Sequence, residues 1–355
     1  MNVIERSKNR THSFVQRVGR FVLWPCMGSI LVAGCSSSSN EADIVTPQSA
    51  SLTCQAPSTG VIHLPADDST HSEPVEWWYW TGHLKTEDGR WFGFEQTFFS
   101  TVQSGVKAQM VNTALTDIDG KRFLTRSSLV PGPPRTVENG FALAVSGETA
   151  VGGNGHDRLH GVTDGRAIFD LELDAQKPPV AQYGDGYVAY APSGYAYYYS
   201  RERMSAKGMV VLDGKPLAVT GQAWFDHEWG QLSDVVQRGW HWFAIQLDDG
   251  REMMLYALNS GEPSPIGSLS DAQCNVTQID SSEVEITPTG NWTNSSGCTY
   301  PTQWHVKYKD IDVTIRPALD DQEVVSIGQR YWEGASIVSG SATGRAYVEL
   351  TGYCN

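Results

Sequence analysis

The sequence predicts an all-β protein built from two consecutive antiparallel β-barrels. Short runs of aromatic and β-branched residues are separated by turn-forming pairs such as Asp88-Gly89, Asn139-Gly140 and Asp213-Gly214. This spacing is typical of antiparallel hairpins, and therefore of a β-sandwich or a β-barrel. Helical periodicity is almost absent, and strand motifs of the first half of the chain recur in the second half.

The N-terminal residues have the pattern of a signal peptide. Five basic residues precede residue 21, and a short apolar run from Phe21 to Val32 follows them. This run is too short to span a bilayer as a helix, so residues 1–34 are predicted to be a cleaved signal. It ends in an LVAGC motif that is similar to a bacterial lipobox, which makes Cys35 the predicted lipidation residue. The alternative is an ordinary signal peptide with a coincidental cysteine.

Residues 35–57 are predicted to comprise the lipidated cysteine and a flexible tether, because serine and other small or polar residues are frequent in them. Ser36 follows the cysteine, whereas an aspartate there would favour retention in the inner membrane. The predicted location is therefore the cell envelope, where the protein is expected to be lipid-anchored in the outer membrane and to face the periplasm.

The charge of the chain excludes some classes of partner. Removal of residues 1–34 leaves 21 basic and 39 acidic residues, a net charge of −18. Such a chain is not expected to bind nucleic acid, or to adhere to anionic lipid through a basic patch. Contact with the membrane is expected through the N-terminal lipid anchor.

Four cysteines remain in the predicted mature chain, and they are Cys54, Cys274, Cys298 and Cys354. An even number of cysteines in an oxidising compartment predicts two disulfides, for which three pairings exist. We favour Cys274 with Cys298 and Cys54 with Cys354, because the second bond would join the two ends of the folded region.

The second half of the chain repeats motifs of the first. The matching segments follow in the same order: Trp77–Leu84 with Trp240–Leu247, Tyr199–Gly208 with Tyr331–Gly340, and Gly221–Asp226 with Gly344–Glu349. This order favours duplication of one barrel over chance similarity between strands. The predicted barrels span residues 58–232 and 233–355, and Asp226 and Glu349 become equivalent positions.

Four motifs carry a resemblance to a known family, and they are EWWYWTGHL from Glu76, YYYSRERM from Tyr197, GQAWFDHEWG from Gly221 and YWEGASIVSG…GRAYVELTGY from Tyr331. In this order, over nearly all of residues 74–353, they resemble the lipocalin-like carotenoid 1,2-hydratase (CrtC) and AttH family. The resemblance implies two consecutive lipocalin-like (calycin) antiparallel β-barrels.

The resemblance also implies a hydrophobic small molecule as partner, such as a carotenoid, a prenyl lipid or an acyl lipid. The family includes hydratases that add water to an isolated double bond of an acyclic carotenoid, and lipoproteins linked to ABC transporters. Two functions are therefore predicted as alternatives. One is a hydro-lyase of the carotenoid 1,2-hydratase type; the other is a non-catalytic carrier lipoprotein that serves an ABC transporter.

The candidate catalytic residues are Asp226, His227 and Glu228, which stand in a row among bulky aromatic residues. Hydration of an alkene needs a strong acid, which a carboxyl group kept neutral in an apolar pocket can supply. Asp226 is the predicted proton donor, and the resemblance implies an acid at this place. Glu228 would raise its pKa, and His227 would orient water. The alternative for each is a structural, hydrogen-bonded latch.

Alternation along a strand puts Asp226 and Glu228 on one face and His227 on the other, and the sequence does not say which face looks inward. Arg201 could pair with either acid, and such a pair would hold that carboxylate ionised and weaken the hypothesis of a proton donor.

The candidate ligand-binding residues are aromatic: Trp77, Trp78, Tyr79, Tyr197, Tyr199, Trp224 and Trp229. Packing in the barrel cores is their alternative.

No metal or cofactor is expected. The chain has no Cys-x-x-Cys pair, and the Asp-His-Glu run alternates faces, so a regular strand cannot bring it to one metal ion. No phosphate-cradling glycine loop opens a helix, and no G-x-S-x-G nucleophile motif is present.

Overall fold

A computed structural model describes Cys54 and residues 58–103, 105–164, 166–190, 194–232, 238–259 and 266–354. The predicted signal peptide, Cys35 and the predicted tether, apart from Cys54, lie outside the described residues. Within the described ranges, no helix has the length and apolar character that crossing a membrane would require. The described residues belong to one compact unit.

The first part of the chain forms a 13-stranded antiparallel sheet, preceded by a short 3-10 helix at Ala66–Asp68. Its strands are β1 (Val75–Thr86), β2 (Trp91–Gln103), β3 (Val106–Asp117), β4 (Arg122–Pro131), β5 (Arg135–Val137), β6 (Gly140–Val145), β7 (Glu148–Gly153), β8 (His156–Thr163), β9 (Arg166–Ala175), β10 (Val180–Ala181), β11 (Tyr187–Tyr190), β12 (Gly194–Leu212) and β13 (Lys215–Gln231).

The second part forms a 10-stranded antiparallel sheet. Its strands are β14 (Trp240–Leu247), β15 (Glu252–Leu258), β16 (Ile266–Ser270), β17 (Val276–Ile279), β18 (Glu285–Thr293), β19 (Thr299–Tyr308), β20 (Ile311–Pro317), β21 (Glu323–Ser326), β22 (Gln329–Gly340) and β23 (Gly344–Thr351). Both sheets are curled into half-barrels, and the predicted all-β class is confirmed.

The order of the strands repeats between the two sheets. The first sheet contains the run β3-β2-β1-β13-β12, and the second contains β16-β15-β14-β23-β22. The register repeats as well, because Tyr79 lies opposite Asp226 in the first sheet and Trp242 lies opposite Glu349 in the second. Asp226 and Glu349 therefore occupy corresponding positions, as the sequence matches predicted.

Each curled sheet encloses a core of large apolar side chains. Alternation along β1 sends Trp78 and Trp80 into the first core, where Trp80 meets Phe225 of β13. Trp304 and Trp332 have the same role in the second core. A third apolar cluster lies between the sheets and includes Tyr79, Tyr198, Trp224, Trp242, Tyr256 and Tyr347. Large aromatic residues therefore fill both interiors and also join the two sheets.

The disulfides join Cys54 to Cys274 and Cys298 to Cys354, so the favoured pairing of Cys274 with Cys298 and Cys54 with Cys354 is wrong. That pairing assumed that the two ends of the folded region meet. Instead, Cys54 lies 6.1 Å, measured between Cα atoms, from Cys274 in the β16–β17 turn. Cys354 follows the last strand and reaches the turn before β19, where Cys298 is 5.9 Å away.

Removal of the second disulfide is expected to destabilise the protein. Cys298 and Cys354 are 56 residues apart, and opening a loop of this length restores conformational entropy to the unfolded chain. The double variant Cys298→Ala, Cys354→Ala should lose roughly 2–4 kcal/mol of unfolding free energy in urea titrations. Peptide mapping under non-reducing conditions is the companion measurement, and a linked Cys274–Cys298 peptide would contradict the observed pairing.

Candidate functional site

A cavity of about 390 Å³ lies between the two sheets. Strands β1, β2, β12 and β13 supply most of one wall, and β14, β15, β22 and β23 supply most of the other. Its lining is mainly aromatic, and the rings belong to Trp77, Tyr79, Phe99, Tyr198, Trp240, Trp242, Tyr256 and Tyr331. Cavities of this size and apolar character commonly hold a small organic ligand.

Strand β13 places alternate side chains in two different environments. Asp226 and Glu228 line the cavity, and Trp224 lies on the same side of the strand. His227 and Trp229 point the other way, where His227 stacks on Trp78 at a ring-centroid distance of 4.7 Å. The structure thus answers the question that the sequence left open, because the acidic face lines a cavity and the histidine faces the first core.

Asp226 is buried at the cavity wall with hydrogen-bond donors on both carboxyl oxygens. The Tyr198 hydroxyl donates to Oδ2 and the Trp224 indole donates to Oδ1, each at 2.6 Å. Burial raises the pKa of Asp226 to about 7, although hydrogen bonds from Ser200, Tyr198 and Trp224 act in the opposite direction. Near neutral pH this carboxyl can therefore exist in either protonation state.

Glu228 also lines the cavity, and only 8% of its surface is exposed. Among the described residues, no side chain forms a hydrogen bond or ion pair with its carboxyl group. Burial raises its pKa well above the usual range, and the neighbouring acids Asp226 and Glu349 raise it further. Glu228 is therefore a buried carboxyl group at the cavity wall, with its oxygens available to a ligand.

Glu349 occupies the corresponding place on the second sheet. The Trp240 indole donates a hydrogen bond of 3.0 Å to its Oε2. Burial raises the pKa of Glu349 to about 7, and the charge of Asp226 contributes in the same direction. The sequence comparison placed Glu349 at the position of Asp226 but did not propose it as a site residue. The internal repeat was the signal that could have identified it.

Two further acids, Glu95 and Glu333, are buried near the cavity. The Tyr79 hydroxyl donates to Glu333 at 2.6 Å, and Thr97 donates to Glu95. Burial raises the pKa of both acids well above the usual range, the charge of Glu349 raises both further, and the charge of Glu95 also raises that of Glu333. No lysine, arginine or histidine is found among the described residues that line the cavity. The cavity and the buried residues beside it therefore concentrate carboxyl groups.

The model of the AttH-like family matches residues 55–353. The chain belongs to the AttH-like family. An AttH protein of known structure from Nitrosomonas europaea is 27% identical to it, with a TM-score of 0.75 over 85% of this chain and 100% of that one. Kievitone hydratase from Nectria haematococca is 16% identical, with a TM-score of 0.70 over 86% of this chain and 98% of that one. A search of curated protein sequences found no match.

These comparisons confirm the predicted family and the lipocalin-like fold. The AttH protein from Nitrosomonas europaea matches this chain across both sheets, because the match covers 85% of the chain. At 16% identity, the likeness to kievitone hydratase concerns the fold alone. The chemistry of this AttH-like chain therefore depends on the residues of its own cavity.

The aromatic candidates divide between the cavity and the first core. Trp77 and Tyr79 line the cavity, and Trp224 is buried behind Asp226. The remaining four candidates face the first sheet's interior: Trp78, Tyr197, Tyr199 and Trp229. Sequence reasoning chose the face of β12 that carries Tyr197 and Tyr199, but it is the intervening residue, Tyr198, that reaches the cavity. It also missed the lining residues Trp240, Trp242 and Tyr256 of the second sheet.

His227 of this AttH-like chain belongs to a polar cluster away from the cavity. Its Nε2 lies 3.0 Å from Oε1 of Glu76, and Nδ1 of His71 lies 2.8 Å from the same oxygen. Burial opposes charge on His71, yet the hydrogen bonds that it donates to Asp67 and Glu76 raise its pKa to about 9. The candidate ligand atoms of these three residues lie within 4.8 Å of one another. A protonated His71 paired with Glu76 favours a structural latch over a metal site.

Arg201 does not contact either cavity acid. Its guanidinium forms two hydrogen bonds with Asp68, of 2.8 and 3.1 Å, in the first core. Although burial alone would raise the pKa of Asp68, the Arg201 charge and hydrogen bonds hold it below the usual range. The pairing of Arg201 with Asp226 or Glu228, which the sequence left open, is thereby excluded.

Glu202 forms a buried polar contact between the two sheets. Gln182 and Ser268 donate hydrogen bonds to its Oε1, each of 3.2 Å, and Ser270 donates to Oε2. Burial raises the pKa of Glu202 to about 8, and the charge of Glu252 contributes to the rise. The folded protein therefore retains a proton on Glu202 that the unfolded chain releases near pH 4 to 5.

The variant Glu202→Gln is expected to weaken the pH dependence of stability. A raised carboxyl pKa stabilises the fold at low pH, and this stabilisation is lost as pH rises from about 4.3 through about 8. Between about pH 6 and pH 9, the wild type should lose a few kcal/mol more unfolding free energy than the variant. Urea titrations at both values measure this difference, with exposed Glu285→Gln as control. Equal pH slopes for wild type and Glu202→Gln would contradict the prediction.

Proposed function

We propose that the cavity binds an apolar ligand and that the protein adds water to a carbon–carbon double bond of that ligand. The observation that carries this proposal is Asp226. Its carboxyl group is buried, faces the cavity and forms no ion pair among the described residues. An acid paired with a guanidinium would remain ionised, whereas burial raises the pKa of Asp226 to about 7.

The first step is transfer of the Asp226 proton to one carbon of the double bond. The positive charge then forms on the other carbon, and Asp226 becomes a carboxylate. Tyr198 and Trp224 already donate hydrogen bonds to Asp226, so they stabilise this carboxylate as it forms. The faces of cavity rings such as Trp77 and Trp242 favour positive charge nearby.

The second step is capture of the carbocation by water. The new carbon–oxygen bond uses a lone pair of the water, and the extra proton passes to a carboxylate. Glu349 suits this role, because it faces the cavity from the second sheet and its pKa is about 7. Return of that proton from Glu349 to Asp226 through solvent restores both groups, and the net reaction converts alkene and water into an alcohol.

The ligand class follows from the cavity and the family. A volume of about 390 Å³ with mainly aromatic walls suits an apolar chain or ring system. An isoprenoid or acyl lipid fits this description, and the sequence resemblance favours an acyclic carotenoid. Kievitone hydratase, which shares the fold, is by its name also a hydratase.

The alternative is a non-catalytic carrier of the same ligand class. This candidate is favoured by the LVAGC motif at Cys35, which predicts a lipid anchor in the outer membrane. Carotenoid synthesis is linked to the inner membrane, so an envelope carrier that serves an ABC transporter would suit this location. Binding without reaction requires the cavity but not the acidity of Asp226.

The deciding experiment is native mass spectrometry of the 36–355 chain purified from its own host, followed by extraction of the bound molecule. A co-purified polyene, prenyl lipid or acyl lipid would establish the ligand class. Incubation of that molecule with the protein in heavy-oxygen water should then add one labelled hydroxyl group. Retention of the molecule without incorporation of label would favour the carrier, and failure to bind any apolar probe would exclude both functions.

A further inference from the structure

We infer that the same cavity selects its ligand by charge and binds hydrophobic organic cations, such as a quaternary ammonium group carried on an apolar body. The inference rests on the cavity being the ligand site, as proposed above, but it does not depend on hydration. It deepens that proposal by assigning a ligand class that the apolar lining of the cavity alone would not indicate.

The first argument is the charge of the cavity wall. Asp226 and Glu228 approach from β13, and Glu349 approaches from β23. No basic side chain is among the described residues of the lining. Arg238, which does not line the cavity, acts electrostatically on the lining phenol of Tyr256. An anionic ligand would therefore be repelled, whereas a cation would be attracted by up to three carboxylates.

The second argument is the unpartnered carboxyl of Glu228. This side chain is more than nine-tenths buried and borders the cavity, but no described side chain donates a hydrogen bond to it. Buried polar groups normally have a partner, and an exception commonly marks a functional position. A bound cation would give Glu228 the opposite charge that the protein does not supply.

The third argument is the arrangement of the aromatic rings. Trp77 of the first sheet stacks on Trp240 of the second, with centroids 6.5 Å apart and planes 11° apart. Tyr79 and Trp242 meet edge to face at 5.2 Å, also across the sheet interface. Aromatic faces beside carboxylates are the surroundings in which proteins recognise quaternary ammonium groups. Here the rings and the acids come from both sheets and border one space.

Cation binding must compete with protons for these carboxyl groups. At low pH the acids are neutral, and a cation gains only the contact with the rings. As pH rises through about 7, Asp226 and Glu349 ionise, so affinity for a permanent cation increases. Among the described residues, the other titratable groups that act on these acids or on the lining phenols are Glu95, Glu333, Tyr183, Tyr190, Tyr198 and Arg238.

The test compares two probes of the same shape. Benzyltrimethylammonium carries a fixed positive charge, and neopentylbenzene replaces its nitrogen by a neutral carbon. Calorimetry or tryptophan quenching on the full folded chain should show at least about tenfold tighter binding of the cation at about pH 8. This ratio should fall several-fold at about pH 6, where the acids are protonated. Phenylacetate, an anion of similar size, should bind more weakly than either probe.

Two variants and a control test which carboxyl groups cause the preference for the cationic probe. Glu228→Gln and Glu349→Gln keep the side-chain shape but remove a carboxyl group that can ionise beside a bound cation, and each should lower the cation-to-neutral ratio at least about threefold. Glu285→Gln, on the exposed surface of β18, should leave it unchanged. Because the ratio is measured on folded wild-type protein as well, loss of folding in a variant does not decide the outcome.

Equal affinity for the two probes at both pH values would overturn the inference. It would indicate that the cavity selects its ligand by shape alone. Such a result would not affect the hydration proposal, because water incorporation is measured separately on the bound molecule. Conversely, tight cation binding without any incorporation of labelled oxygen would support charge selection and count against hydration. Failure of all three probes to bind would argue against the cavity as a ligand site, and so against both.

Discussion

Replacement of Asp226 by Asn is expected to lower the rate of hydration at least about 100-fold. Asparagine has nearly the same shape and keeps an oxygen that accepts a hydrogen bond, but it has no acidic proton to donate. Tyr198 and Trp224 both donate to Asp226, and one of them would meet the amide nitrogen in the variant. The measurement is incorporation of heavy oxygen from water into an acyclic carotenoid or into the co-purified ligand, under single-turnover conditions.

The control for this variant is Asp321→Asn, the same chemical change at an exposed position. It should retain the wild-type rate. In the wild type, the rate should fall as pH rises through about 7, because the proton donor is the protonated form of Asp226. An unchanged rate in Asp226→Asn would remove the donor role from this residue, and Glu228→Gln would then test the next candidate.

Replacement of Arg201 by Met is expected to lower the free energy of unfolding by about 3–5 kcal/mol. Arg201 and Asp68 form an ion pair at 2.8 Å inside the first core, and both side chains are almost completely buried. Without the guanidinium, Asp68 would be left as an uncompensated buried charge or would have to take up a proton. Urea titration followed by tryptophan fluorescence measures the loss.

Arg122→Met is the matched control, because Arg122 pairs with Asp213 at 2.7 Å on the exposed surface. Solvent screens such a pair, so the stability change should be far smaller than that of Arg201→Met. A comparable loss in the two variants would show that lost packing of the arginine stem, rather than burial of the carboxylate, determines the effect. Arg201→Met should also leave ligand affinity intact in the folded fraction, because Arg201 does not line the cavity.

Much of the fold could be predicted from the sequence because strands and turns leave local signals. Asp-Gly and Asn-Gly pairs mark hairpins, and the matches between halves predicted that Asp226 and Glu349 would correspond. The observed register agrees with that correspondence. Hairpins can be recognised from neighbouring residues in the chain, and the repeat can be recognised by comparing one segment with another.

The location of the site could not be predicted, because it depends on how the two sheets pack. A strand has two faces, and only tertiary contacts decide that Asp226 faces the second sheet while His227 faces the first core. The same ambiguity between the two faces of a strand explains why Tyr197 and Tyr199 were predicted to bind the ligand, whereas Tyr198 between them lines the cavity. The disulfide pairing failed for a related reason, because the contact of Cys54 with the β16–β17 turn leaves no local signal in the chain.

The bond between Cys54 and Cys274 has a mechanical consequence. Cys54 precedes the first sheet in the chain, but its partner belongs to the second sheet. A pulling force applied through the N-terminal segment therefore enters the second sheet at Cys274 and bypasses β1. Strand β1 carries Trp77 and Tyr79, so the cavity wall that the first sheet supplies is shielded from tension. After reduction of this bond, the load would pass to the 3-10 helix and β1, and force would act directly on the cavity.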